Sequence, residues 1–136
     1  MESWDRMQLN HVTLPVRDIE RSRAFYERLG LTLIVHTPHY CRFDVPGGTT
    51  FSIHATEGEI GTGAVIYFES DRLDELVADL TARGIVFESG PEDRRWLWRE
   101  ARLRDPDGHA LCFYWAGANR RFPPWRIDGK PEAGSP

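Results

Sequence analysis

A single pattern runs twice along this chain, its copies about 54 to 60 residues apart, with the polar positions changed between them. His11-Val12-Thr13-Leu14 lies over Val65-Ile66-Tyr67-Phe68, and at the same offset Ile19 meets Leu73, Ala24 meets Ala78 and Gly30 meets Gly84. Each of these glycines closes a helix-like stretch and opens a β-rich one. The later halves correspond as well. Pro46-Gly-Gly-Thr-Thr-Phe-Ser-Ile runs parallel to Pro106-Asp-Gly-His-Ala-Leu-Cys-Phe, which pairs Ser52 with Cys112. A chain that repeats one supersecondary unit is constrained to fold as similar modules, and equivalent positions in such modules usually surround a shared cleft.

A length of 136 residues suits one compact domain with a full core, since about two-thirds of the unfolded surface is buried at that size. That domain is expected over residues 1–118, with module one at 7–57, module two at 63–116 and a C-terminal arm at 119–136. The net charge is −4 with both signs interspersed, so no electrostatic footprint for nucleic acid is present. No apolar run reaches the length of a signal or a membrane span, which points to a cytoplasmic protein without membrane contact. Cys41 and Cys112 lack metal-type close spacing; a reducing compartment keeps them as thiols, most simply as small buried residues.

Each copy reads as strand, helix and then several strands. Leu9 to Val16 alternates in polarity, Asp18 is placed to cap a helix with apolar positions Ile19, Ala24, Phe25 and Leu29, and Gly30 ends it. Strands are then expected at Leu31–Val35, Tyr40–Val45 and Thr50–Ala55, with a Pro46-Gly47-Gly48 turn. A polar linker from Glu57 to Gly63 leads into the second copy. There, Asp71 or Asp74 should begin a helix through Leu73, Leu76, Val77 and Leu80, followed by strands at Ile85–Glu88, Trp96–Arg104 and Ala110–Trp115. The Asp105-Pro-Asp-Gly turn separates the last two. The fold class is therefore α+β, two tandem βαβββ modules forming a curved mixed sheet around a cleft. The tail should pack as an extended arm to Ile127 and fray beyond it.

Strand alternation sorts the faces. Val12, Leu14, Val16, Phe51, Ile53, Ile66, Phe68, Leu97, Ala101, Leu103, Leu111 and Phe113 belong to a helix-facing side. The other side carries His11, Thr13, Tyr40, Arg42, Ser52, His54, Val65, Tyr67, Glu69, Trp96, Trp98, Glu100, Arg102, Cys112 and Tyr114. So many aromatics beside convergent charges suit a concave pocket for a planar or amphipathic small molecule. The competing reading makes Glu100 and Arg102 a structural ion pair, and Trp96 and Trp98 a dimer contact.

The segments Asn10-His-Val-Thr-Leu-Pro-Val-Arg-Asp-Ile, Ala24-Phe-Tyr-Glu-Arg-Leu-Gly and Arg104-Asp-Pro-Asp-Gly-His resemble the vicinal oxygen chelate superfamily, which includes glyoxalase I, extradiol dioxygenases, fosfomycin-modifying enzymes and bleomycin-resistance proteins. With the repeat, the resemblance covers about residues 8 to 116. It implies a glyoxalase-like scaffold shared by metalloenzymes and metal-free binding proteins, and a homodimer. The metal-ligand positions it implies are His11, Ser52, Val65 and Cys112, of which only His11 has the family's ligand type. A His and carboxylate site for a hard or ferrous ion is thus absent, and no cofactor is expected. The alternative is one divalent metal such as zinc on His11, His54 and Cys112; His36, His39 and His109 sit at strand ends or turns.

The leading function is metal-independent binding of a small molecule, of the glyoxalase or bleomycin-resistance type, by binding or sequestration rather than turnover. Tyr40, Tyr67, Trp96, Trp98 and Tyr114 would stack on the ligand, Arg42 and Arg102 would meet anions, His54 would hydrogen-bond, and Glu69 and Glu100 would meet cations or hydroxyls. One alternative is a lyase, isomerase or dioxygenase of the same superfamily, with His11, Glu69 or Glu100 as the catalytic group. Another is a structural or regulatory dimer with a vestigial cleft, the arm around Arg121 and Trp125 wrapping the interface.

Overall fold

The protein is described here by a computed structural model covering residues 7–127. Within the described residues the backbone divides into two compact units, 7–61 and 62–127, with the boundary inside the polar linker. Unit 1 contains β1 (His11–Val16), α1 (Ile19–Arg28), β2 (Thr32–Thr37), β3 (Tyr40–Val45) and β4 (Thr49–Ala55). Unit 2 contains β5 (Val65–Glu69), α2 (Leu73–Ala82), β6 (Ser89–Asp93), β7 (Arg99–Arg104) and β8 (Ala110–Trp115). Each unit is the anticipated βαβββ element and forms one four-stranded mixed sheet, ordered β1-β4-β3-β2 and β5-β8-β7-β6. The two hairpin pairings in each sheet are antiparallel, while the first and last strands of each unit pair in parallel, as a helical crossover requires.

The register reproduces the sequence repeat. Ser52 lies between Thr13 and Arg42, and Cys112 lies between Tyr67 and Arg102. The turns also correspond: the Gly48 amide donates to the Val45 carbonyl and the Gly108 amide to the Asp105 carbonyl, with positive φ at both glycines. In the second turn the Asp105 carboxylate accepts the amides of Asp107 and His109. Gly30 and Gly84, at φ of 105° and 91°, end the two helices in the left-handed conformation that only glycine adopts freely.

Asp18 caps α1 as anticipated, accepting the amides of Glu20 and Arg21. The buried stripe of α1 differs from expectation. Ile19, Ser22, Tyr26 and Leu29 face the sheet, while Ala24 is exposed and Phe25 only half-buried. Tyr26 wins the inward position because its ring meets Phe51 at 4.7 Å and Phe43 at 6.0 Å between centroids. In unit 2, Leu73, Val77 and Leu80 face the sheet. Neither Asp71 nor Asp74 caps α2; Arg72 occupies that position, and its side chain pairs with Glu75 instead of capping the helix.

The largest departure is around the third strand of module two. Ile85–Glu88 is not a strand, β6 lies at Ser89–Asp93, and Trp96 and Leu97 occupy the hairpin turn before β7. The turn is closed by the Leu97 amide on the Arg94 carbonyl and the Arg94 amide on the Trp98 carbonyl. Leu97 pays with a positive φ of 69° and is exposed, so it does not belong to the helix-facing side. After β8 the arm runs through a short 3-10 turn at Gly117–Asn119, and Arg126 lies over the Phe122 ring. Residues 128–136, where fraying was expected, fall outside the described residues. No helix among the described residues is long and apolar enough to cross a membrane.

Candidate functional site

On the polar face of unit 1 alternation brings Thr50, Ser52 and His54 of β4 to one side, with Tyr40 and Arg42 of β3 beside them and His11 and Thr13 on β1. Arg42 Nε donates to the Tyr40 oxygen at 2.8 Å, and the Tyr40 oxygen lies 2.6 Å from Ser52 Oγ. Ser52 Oγ is 3.2 Å from His11 Nε2, and His11 Nδ1 is 2.6 Å from Thr50 Oγ1. Thr13 Oγ1 is also 3.2 Å from Nε2. Ser52 is fully buried, whereas His11 and Arg42 are exposed. Burial pushes the Tyr40 phenol up, but its hydrogen bonds with Ser52 and Arg42, with the guanidinium charge, outweigh it and hold the group below the ordinary tyrosine value.

The equivalent face of unit 2 is aromatic. Trp98 stacks on Tyr114 with centroids 4.6 Å apart, and Tyr67 stands edge-on to both. Tyr67 and Trp96 remain 44% and 39% exposed, so this surface can meet a ligand. Beneath it Glu100 is buried and accepts Trp96 Nε1 at 2.8 Å and Arg102 Nε and Nη2 at 3.3 and 3.2 Å. Arg102 Nη2 also reaches the Tyr67 oxygen at 3.4 Å, and Arg94 Nε lies 3.9 Å from Glu100. The Glu69 carboxylate accepts the amides of Ala116 and Gly117, which fixes the chain where it leaves β8. As candidate bases, Glu69 and Glu100 are therefore already committed to donors. A separate depression of about 320 Å³ lies beside the first turn of α2, lined by Asp71, Asp74, Glu75, Arg99 and Trp115 among others, and Arg99 is tied there to Asp74 and Asp93.

The zinc alternative does not assemble. His11 is in register with Thr50, four residues before His54 on β4, which separates the two histidines by roughly 13 Å at the usual rise per strand residue. His54 is exposed beside Pro15 and Tyr40. Among the described residues no three His, Cys, Asp or Glu side chains converge as a metal-binding group. The family's ligand positions fit a metal no better: both His11 nitrogens face hydroxyls, Ser52 is hydrogen-bonded, Val65 has no donor atom, and Cys112 is a buried thiol. No step through a metal follows from these residues.

Cys112 packs against Tyr114, Ala116, Val65 and Trp98. Burial pushes its thiol up to about 11, with Glu100 adding to the effect, and burial raises Cys41 as well. Native protein at pH 8 should therefore resist Ellman's reagent and release two thiols per chain only on unfolding. Only the unfolded thiol ionises readily, so the Cys112 contribution to stability is intact below the ordinary value of 9.0 and is lost as the pH rises through about 11. Rapid labelling of the native state would contradict the packing of β8.

Thr50 and Arg94 were not singled out from the sequence, whereas Thr13 was placed on the pocket face without a role. Thr50 had a usable signal, its spacing of two from Ser52 on the same strand. Arg94 had none, because its approach to Glu100 depends on the hairpin turn.

A family model described as Glyoxalase/Bleomycin resistance protein/Dioxygenase superfamily matches residues 8–113. The chain is 29% identical over 126 residues to an uncharacterized protein, YraH, of Bacillus subtilis strain 168, covering 79% of this chain and 98% of that relative. Among solved structures, it resembles a glyoxalase/bleomycin resistance protein/dioxygenase from Nocardioides, with TM-score 0.70 and 25% identity, over 82% of this chain and 84% of the other. It also resembles a bleomycin-binding protein solved in complex with bleomycin, with TM-score 0.66 and 27% identity, over 80% and 98% of the two chains. The repeated βαβββ unit, its register and the matched span agree, and the chain belongs to the Glyoxalase/Bleomycin resistance protein/Dioxygenase superfamily.

Proposed function

We propose that this protein is a cytoplasmic, homodimeric, metal-independent binder of a planar, amphipathic small molecule, acting by binding or sequestration. The observation that carries the reading is the unit 2 face, where exposed Tyr67 stands against the Trp98–Tyr114 stack and Glu100 holds both Arg102 and the exposed Trp96. Aromatic rings supply contact area at low entropic cost, and a fixed guanidinium supplies orientation. Arg102 Nη1 makes no hydrogen bond among the described residues, which leaves a donor for an anionic or carbonyl group on the ligand. The donor chemistry at His11, Ser52, Val65 and Cys112 supports binding without a metal. The likeness to a bleomycin-binding protein makes bleomycin a reasonable member of the first probe set.

The test is tryptophan fluorescence titration with planar aromatic probes, bleomycin included, with and without chelator. Binding should quench emission equally in both conditions, and Tyr67→Ala should weaken it about tenfold, the equivalent of one aromatic contact. Affinity that disappears with chelator, or that Tyr67→Ala and Trp96→Ala leave untouched, defeats the reading. Native mass spectrometry of protein purified without chelator should give a metal-free dimer.

A further inference from the structure

The polar row of unit 1 has a direction. Arg42 can only donate and the Asn10 carbonyl can only accept, and one assignment that satisfies both ends, with Ser52 rather than Thr13 donating to His11 Nε2, points every bond between them the same way. Arg42 Nε–H donates to Tyr40, Tyr40 O–H to Ser52, and Ser52 O–H to His11 Nε2. His11 Nδ1–H then donates to Thr50, whose hydroxyl reaches the Asn10 carbonyl at 3.5 Å. That sequence assigns the His11 tautomer, with Nε2 as the bare acceptor. Ser52 has no exposure, so a proton on it can leave only through Tyr40 or His11.

Two groups remain open at the start of the row. The Tyr40 oxygen donates one bond and accepts one, leaving a lone pair. Arg42 Nη1 and Nη2 have no partner among the described residues, and the guanidinium carbon is 5.4 Å from the Tyr40 ring centroid. This is a planar fork suited to a carboxylate, next to a phenol hydrogen-bonded into a relay.

The fold does not require the row. Unit 2 has the same strands in the same register, yet Glu100, Cys112, Val65 and Ala110 stand where unit 1 has Tyr40, Ser52, His11 and Thr50. Only the arginine persists, as Arg102.

We propose that unit 1 is a metal-free proton-transfer site for a small molecule bearing a carboxylate, in which Arg42 holds the anion, Tyr40 exchanges the proton and Ser52 relays it to His11. The C–H bond next to a carbonyl breaks, and its proton passes to the Tyr40 oxygen. In the same event the Tyr40 proton moves to Ser52, and the Ser52 proton moves to Nε2. The electron pair stays on the ligand as an enolate and His11 becomes imidazolium, so charge is conserved and nothing is oxidised or reduced. Return of the proton to the same or another carbon completes an exchange or an isomerisation. Tyr40 touches the ligand, whereas Ser52 and His11 act through it. This activity is independent of the binding face of unit 2, and the fluorescence titration above reports on that face separately.

The test is solvent deuterium exchange, followed by proton NMR, at the carbon next to the carbonyl of pyruvate and of phenylpyruvate. Wild-type protein should accelerate exchange of at least one probe about 10²-fold over Tyr40→Phe, the usual scale for one acid–base group. His11→Gln should lose a comparable factor, and Arg42→Gln should raise the half-saturating probe concentration. Ser52→Ala should slow exchange and shift the Tyr40 ionisation, read at 295 nm against Tyr40→Phe, to higher pH. Circular dichroism establishes that each variant is folded. Exchange of both probes no faster with wild type than with folded Tyr40→Phe, or undiminished by His11→Gln, overturns the proposal.

Discussion

Replacing Tyr26 with alanine should lower the unfolding free energy by about 4 kcal/mol, the cost of emptying a buried aromatic site. The side chain has no exposure and joins α1 to the sheet of unit 1 through Phe43 and Phe51, with Phe25 edge-on at 5.2 Å. A protein of ordinary stability has only about 5–15 kcal/mol in total, so the variant should show a much lower urea midpoint. Phe25→Ala is the control. Its ring is half-buried, and its loss should cost about 1–2 kcal/mol, as partial burial implies. A larger effect at Phe25 than at Tyr26 would mean that the helix is rotated on the sheet from the orientation described.

That contrast also shows how far the sequence was legible. The repeat, the Asp18 cap, the two helix-ending glycines and strands β3 and β8 could be read directly because they rest on short-range chemistry. Rotation of α1 could not, because Ala24 and Phe25 look as apolar as Tyr26, and the two facing rings, Phe43 and Phe51, decide which enters the core. The β6–β7 hairpin failed for a similar reason. Trp96, Leu97 and Trp98 read as strand residues, while the chain turns there and accepts a positive φ at Leu97.

The site was half-legible on the same grounds. Pairing Ser52 with Cys112 matched the strand register of the two units, and alternation placed Tyr40 and Arg42 beside Ser52 and Tyr67 and Arg102 beside Cys112. Discounting Ser52 as a poor metal ligand obscured its other capacity, since a hydroxyl both donates and accepts and can link a phenol to an imidazole. Hydrogen-bond direction exists only once partners are placed, so the relay could not be read from residue types alone.

Glu100→Ala should cost about 3 kcal/mol and also weaken the ligand binding proposed for unit 2, because this carboxylate organises the face from below. Its oxygens receive Trp96 and Arg102, and Arg94 Nε is buried 3.9 Å away without a hydrogen-bond partner of its own. Removing the carboxylate leaves two guanidiniums facing each other across the space it occupied, with Trp96 no longer anchored. Glu100→Gln separates the contributions. The amide can still accept the indole N–H but carries no charge, so its loss should be smaller than that of alanine and should shrink further with added salt, which screens the remaining repulsion between the arginines. Chemical denaturation of the wild type and both variants in urea, at low and high salt, checks the order. Three equal stabilities within about 0.5 kcal/mol, the range of an ordinary surface substitution, would show that Glu100 is not the anchor of Trp96 and Arg102.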